Sequence, residues 1–406
     1  MNWLAGFIGL AICLPMVWIS LAKVIAIFCI LAVYLQQCVR QPQLQWSVGP
    51  TLTTPVVAVT SLLFLLGLAW TMAPMDFALS SYVKHSKIVL IPALAVLISN
   101  GQRARIALQA WVYGQAVVMV MSWLNLTGLT WPWWLESQTP YVVFTESYID
   151  QSAMFALTGA VAWHLRHARL WKPLMGMQMA AGFWLNVSLL LPGRTGYVLV
   201  IAMIGLLVFF EMPRKYRAGL SLAILALASA LLLGFSDKAK TRLEVTVSEF
   251  REYQAHADNM SSTGWRINAW KRSLQSIQHN PVGGSGTGSW AMAVKKEEGA
   301  QAVSLFGAGN SSNPHQEYLL WGVELGVGGT ALLVALWVAL ALDVRRNSPP
   351  VRRAMVAAIL CAAIACLFNS ALYDDLLGDF LCMSLGLLLA YARSEPSSPV
   401  PSAAVV

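Results

Sequence analysis

Charge is scarce in this chain: 11% of its 406 residues are Asp, Glu, Lys or Arg, against 57% apolar. A soluble domain carries about a quarter charged residues, so that class is excluded and a polytopic membrane protein is indicated. Cysteine is also sparse. The six (Cys13, Cys29, Cys38, Cys361, Cys366, Cys382) lie in or beside apolar segments without a CxxC pair, which points to neither a disulfide framework nor a thiolate metal site. HExxH, GxSxG and DxD-like metal pairs are lacking, so no metal or other cofactor is expected. The glycine run Gly283–Ser289 has no GK[ST] ending and follows no strand, and it reads as a flexible turn rather than a phosphate loop. Asp374-Asp375 suits a helix cap better than catalysis. No basic region precedes the first apolar run, so no cleavable signal peptide is expected, and no repeat relates the two halves.

What the chain has is apolar runs close to the roughly 20 residues a helix needs to cross a bilayer. Lipid offers backbone groups no water, so the fold class is all-α. Candidate spans are 3–20, 22–37, 54–74, 87–100, 104–124, 150–166, 173–190, 196–212, 218–235, 316–342, 352–372 and 377–392, about twelve in all. The net charge of +8 comes from basic loops: His164–Lys172, Arg214–Arg217, and Arg345-Arg346 with Arg352-Arg353. That is the positive-inside pattern, not a nucleic-acid footprint. Acid gathers in the other loops, in Trp131–Asp150 (Glu136, Glu146, Asp150) and at Asp374-Asp375. Both termini then face the cytoplasm.

The expected organisation is transmembrane helices 1–9 over 1–235, an extracytoplasmic loop domain over 236–314, helices 10–12 over 315–393, and a disordered tail over 394–406. Within the loop, Leu243, Val247, Phe250 and Tyr253 form one helical stripe, and Ile267, Trp270, Leu274 and Ile277 another. Two amphipathic helices at the membrane face fit that spacing. One loop breaks the charge rule: Ser80–Lys87 falls outside by alternation yet carries Lys84, His85 and Lys87. Either a short N-terminal span is miscounted, or these cations face an anionic ligand at the outer surface.

Three further residues are candidates for chemistry. In Asn313-Pro-His-Gln316, Asn313 suits an N-cap, Pro314 the first helical position and Gln316 the third, which reads as a capping-box start. His315 then lies near the positive end of a helix dipole, which disfavours its protonation and leaves a base; the plainer reading is a polar residue ending a span. Arg194, in "GRTGY", lies between two apolar runs and needs water, an acid or a ligand, unless it snorkels to the interface. Arg266, in "GWRINAW", offers a planar fork suited to phosphate, though such an arginine is also ordinary on a surface.

In order along the chain, "GRTGY", "GWRINAWKRSLQSIQHNPVGGSGTGSW" and "NPHQEYLLWGVELGVGG" resemble the O-antigen ligase and polymerase superfamily. There a loop arginine precedes an NPxxGxGxGxW/F-like turn, and a histidine-asparagine-type pair then opens a helix with glycines about eleven and fourteen residues on. The likeness covers Leu191 to Gly329, with Gln316 where asparagine is commoner. It implies an inner-membrane glycosyltransferase with a periplasmic active site. Such an enzyme moves preassembled O-antigen from undecaprenyl diphosphate onto a terminal sugar of the lipid A core. His315 matches the family's catalytic histidine, and Arg194 and Arg266 its essential arginines. An activated glycosyl diphosphate needs no nucleotide, and one base with no second carboxylate predicts inversion. O-antigen polymerase and O-linked oligosaccharyltransferase remain alternatives within the superfamily. A secondary transporter is more distant, since repeats and midplane ionisable groups would mark it.

Overall fold

The computed structural model describes residues 2–40, 50–98, 100–128, 141–145, 147–255, 261–297 and 313–395. Glu136, Glu146 and the expected tail from 396 onward lie outside the described residues. Among the described residues the regular elements are helices and no strand forms. In chain order they are α1 (Asn2–Ala11), α2 (Met16–Arg40), α3 (Thr53–Leu66), α4 (Met75–His85), α5 (Leu90–Leu97), α6 (Gly101–Leu124), α7 (Tyr148–His164), α8 (Pro173–Leu189) and α9 (Arg194–Glu211). Then follow α10 (Arg217–Phe235), α11 (Asp237–Ala255), α12 (Ser262–His279), α13 (Trp290–Lys296), α14 (Glu317–Leu325), α15 (Val327–Asp343), α16 (Pro349–Phe368) and α17 (Asp375–Ser394).

Among the described residues six helices are long and apolar enough to cross a membrane: Thr53–Trp70, Gly101–Thr127, Arg194–Glu211, Arg217–Phe235, Pro349–Phe368 and Asp375–Ser394. The described residues thus form an all-helical membrane protein, in which six of the twelve expected spans meet that length. Three of the other expected runs are divided or shortened by local features. Pro15 lacks an N–H and restricts the residue before it, and the run 3–20 divides there into α1 and α2. The run 87–100 yields a single 3-10 turn, Ser86–Val89, leading into the eight-residue α5, which at 1.5 Å per residue reaches about 12 Å. The run 316–342 breaks at Gly326, whose φ of 70° belongs to glycine. A Cβ there would also lie 2.4 Å from the Pro281 carbonyl oxygen.

The core is built round two helices that are buried on nearly every side. From Leu376 to Ala392 each residue of α17 is buried, and α7 is buried along nearly its whole length. Helices α2, α5, α6, α7 and α16 pack against α17. Only 6% of α10 is buried, so this helix presents its Leu and Ala side chains outward.

Chain direction sorts the polar residues into two ends. Helix α9 runs from Arg194 to Glu211, α16 from Pro349 to Phe368, and α17 from Asp375 to Ser394. Glu211 therefore lies at the far end, where it pairs with Arg166 at 3.1 Å and Arg353 at 3.6 Å. The basic loops after α7 and before α16 gather there. Arg194, His315 and the turn between α16 and α17 lie at the opposite end. Lys84 and Lys87 share that second end through Asp375, where alternation of the spans had placed them.

Candidate active site

Arg194 opens α9, directly after the N-cap Gly193. Its Nη1 donates to Thr263 Oγ1 at 3.2 Å and its Nη2 to Glu249 Oε2 at 3.3 Å. Thr263 also donates to Glu249, so α11 and α12 meet over the start of α9. Arg266 stands one turn further along α12, whose N-cap Ser261 accepts from Gly264 N at 3.2 Å. Its Nη1 donates to the Phe368 carbonyl oxygen at 3.0 Å, at the end of α16. Burial, and next the nearby Arg194 charge, hold the Arg266 guanidinium below its usual pKa. The two arginines share a cavity of about 150 Å³, which Tyr148, Arg242, Glu249 and Ser262 also line. Three guanidinium groups face one carboxylate, so the cavity is formally cationic and suits an anion larger than Glu249 supplies.

His315 lies before α14 rather than within its first turn. The helix begins at Glu317, and Gln316 is its N-cap, the side chain accepting from Leu319 N at 2.6 Å. The capping-box assignment to Asn313 is corrected accordingly. Asn313 Oδ1 instead accepts from His315 N at 2.9 Å, a turn that a short amide side chain makes readily. His315 takes φ 50°, left-handed backbone that is strained for an L residue. Its neighbours hold it there: Trp270 Nε1 donates to the Pro314 oxygen at 3.0 Å, and Gln316 N to Ser370 Oγ at 3.2 Å.

The imidazole packs edge-on to Trp265, with ring centroids 5.5 Å apart, and its Nδ1 lies 3.0 Å from Asn369 Oδ1. Burial chiefly lowers its pKa; the Asn369 bond raises it, Arg266 lowers it and Asp374 raises it. The direction matches the sequence-based expectation, with burial as its chief cause and Arg266 adding to it. Arg266 is thus the electrostatic neighbour of both Arg194 and His315. The three candidates, far apart in sequence, come together at one end of the bundle.

Lys84, His85 and Lys87 are placed differently. His85 is buried, with Nε2 2.8 Å from Glu324 Oε2 and its ring stacked on Phe64 at 3.9 Å. Lys87, also buried, donates to the Asp374 oxygen at 2.7 Å and to Asp375 Oδ1 at 3.2 Å. Lys84 pairs with Asp375 at 3.0 Å and lies 5.0 Å from the centre of the Tyr373 ring. The two lysines grip the start of α17, where Asp374 caps the helix by accepting from Leu376 N and Leu377 N, whereas His85 is tied to α14 through Glu324.

The glycine run is a clasp more than a flexible turn. Ser285 N donates to the Val323 oxygen, Gly286 N to the Glu324 oxygen and Thr287 N to the Gly67 oxygen. Gly286 has φ 89°, and a Cβ on it would stand 2.3 Å from Thr71 Cα. This join fixes α14, and with it the approach to His315, against the segment after α3.

Asn369, Arg242 and Glu249 went unread in the sequence. Asn369 ends an apolar run 54 residues from His315, and a lone amide there carries no signal. Arg242 and Glu249 lie on α11, but the pattern there drew attention to its apolar stripe.

A bundle of apolar helices holds at one end a cavity lined by three arginines and one glutamate, with a histidine beside it, which is the arrangement of a membrane protein with a cationic site. Residues 179–334 match a family model described as O-antigen ligase. The match spans all three segments that carry the resemblance to the O-antigen ligase and polymerase superfamily. No curated protein matches the chain.

Proposed function

We propose that this protein is an O-antigen ligase. It transfers preassembled O-antigen from undecaprenyl diphosphate to a terminal sugar of the lipid A core oligosaccharide, at the periplasmic face of the bacterial inner membrane. The observation that carries the reading is the meeting of Arg194, Arg266 and His315 within a segment that matches the O-antigen ligase family model. Orientation follows from the basic loops at the opposite end, which the positive-inside rule assigns to the cytoplasm together with both termini.

In this mechanism the donor diphosphate enters the cavity, where Arg194 and Arg266 face its oxygens. Negative charge grows on the leaving oxygen as the glycosidic bond breaks, and fixed guanidinium groups stabilise that charge more in the transition state than in the ground state. The cations are already in place, so no metal is needed. His315, kept neutral by burial and Arg266, takes the acceptor hydroxyl proton while the oxygen attacks the anomeric carbon. A single displacement inverts that centre. Lys84 and Lys87 support the site from behind by holding α17 and its cap, His85 by holding α14 through Glu324, and a diphosphate reaches them only if Glu324 and Asp375 release them.

Deleting the gene tests this reading. Core lacking O-antigen, with full-length polymer accumulating on undecaprenyl diphosphate, is expected. Single-repeat O-antigen on the core would make the protein a polymerase instead, and unaltered lipopolysaccharide would refute both.

A further inference from the structure

A base must present a lone pair, and a neutral imidazole has one only on the nitrogen without the proton. What lies against the other nitrogen therefore decides whether His315 can act. That neighbour is Asn369, the residue that ends α16, with Oδ1 3.0 Å from Nδ1.

We propose that Asn369 is the positioning residue for His315: its side-chain oxygen accepts the Nδ1 proton and leaves the Nε2 lone pair for the acceptor hydroxyl. The inference rests on the reading of His315 as the base. In the step, Nε2 takes the hydroxyl proton, the oxygen forms its bond to the anomeric carbon, and the bond to the diphosphate breaks with its electron pair on the leaving oxygen. The imidazolium keeps its Nδ1 proton on Asn369 and later gives the Nε2 proton to water.

Asn369 is well fixed for this role. The turn it opens is tied to the site at several points besides its own bond. Arg266 donates to the Phe368 oxygen, Gln316 N to Ser370 Oγ, and Leu372 N and Tyr373 N to Glu317 Oε2 at 3.0 and 3.2 Å. The histidine backbone, strained at φ 50°, thus meets a rigid partner, which is how oriented ligands are held elsewhere. The opposite rotation of the amide would aim its NH2 at Nδ1, force the proton to Nε2 and turn a donor toward the acceptor sugar.

The charged groups around the ring come from three sides. Arg266 faces it from α12, Asp374 from the turn before α17, and Glu317 opens α14 with its carboxylate engaged by Trp321, Leu372 and Tyr373. No net charge lies on Asn369 itself, so placing one there reports directly on the ring.

The test uses the purified full-length protein, undecaprenyl-diphosphate-linked polysaccharide and core acceptor. It follows kcat and KM against pH, and donor binding without acceptor. Asn369→Ala is expected to lower kcat about tenfold or more, the worth of one buried hydrogen bond, with donor affinity unchanged. Asn369→Asp keeps the acceptor atom and adds charge. It is expected to restore kcat at high pH while moving the acid limb up by about 1–3 pH units. Histidine-selective nitrogen NMR, assigned with His315→Gln, should find the parent proton on Nδ1. A parent proton on Nε2, an Ala variant with the parent's profile, or an Asp variant as poor as Ala with no shifted limb would each overturn the inference. If His315→Gln itself transfers normally, the base reading falls instead. Should the variants fail to insert, the parent spectrum still decides.

Discussion

The Glu249 carboxylate occupies the cavity in which the proposed mechanism places a diphosphate. It meets Arg194 Nη2 at 3.3 Å, with the Arg194 side chain 37% exposed and that of Glu249 17%. Unit charges about 4 Å apart at an effective dielectric of 20 attract by roughly 4 kcal/mol. Exposure and mobile ions reduce what such a pair contributes to about 0.2–1 kcal/mol. A diphosphate competing for Arg194 has to displace that contact and also meets the repulsion of the carboxylate. Glu249→Gln keeps the size of the side chain and a hydrogen bond to Thr263 but removes the competing charge. It is expected to tighten donor binding by up to about fivefold, since 1.4 kcal/mol corresponds to a factor of ten. Titration of the protein in nanodiscs with undecaprenyl-diphosphate-linked polysaccharide, with inorganic pyrophosphate as a soluble competitor, measures the effect, and the gain should shrink as salt rises. Weaker binding in the Gln variant would refute the reasoning and make Glu249 the residue that aims Arg194 at its ligand.

Arg194→Lys keeps the charge but loses the planar fork, and transfer should fall about 10–100-fold, the range of one or two charge-assisted hydrogen bonds; Arg266→Ala should fall similarly, and full activity in the lysine variant would leave Arg194 an interfacial anchor. His315 acts as a base only when neutral, so activity should fall as pH drops through its folded-state pKa. Burial lowers that pKa below the ordinary 6.5, so a pH profile with its acid limb above 6.5 would contradict the assignment, while His315→Gln should lose about 10²–10⁴-fold in rate with donor binding intact. A cysteine at Ser86, half-buried between His85 and Lys87, should react with an impermeant thiol reagent in intact spheroplasts; labelling only after lysis would invert the proposed orientation.

The helical class and the candidate triad were legible because they rest on local signals. Apolar run length needs no partner to be read, and an arginine between greasy segments is conspicuous wherever the chain takes it. The helix ends were harder. Asn313-Pro-His-Gln316 satisfies the statistics of a helix start from Asn313, yet Ser370 and Trp270 pull its backbone into a turn, and the helix waits until Gln316. The run from 316 to 342 reads as one span, yet it breaks at Gly326, where Val327 N donates to the Pro281 carbonyl oxygen and that oxygen leaves no room for a Cβ. Lys84, His85 and Lys87 were legible as charge but not as paired charge. Their partners Glu324 and Asp375 lie 239 and about 290 residues away, and no sequence period links them.

Those long-range partners converge on one short segment. The turn from Phe368 to Asp375 receives Arg266, His315, the backbone of Gln316, the carboxylate of Glu317, and both Lys84 and Lys87. Little in its own sequence announces this, since apart from its two aspartates it is a break between apolar runs. The physical reason is positional. It joins α16 to α17, buried from Leu376 to Ala392, so its backbone is held from both sides by packed helices. Groups that must hold an angle under load, a base or a phosphate-binding arginine, gain most from being anchored there. The residues proposed to meet substrate are carried on α9, α12 and the turn before α14, whereas the partners of Arg266 and His315 come from a turn that the chain does not reach until some fifty residues after His315.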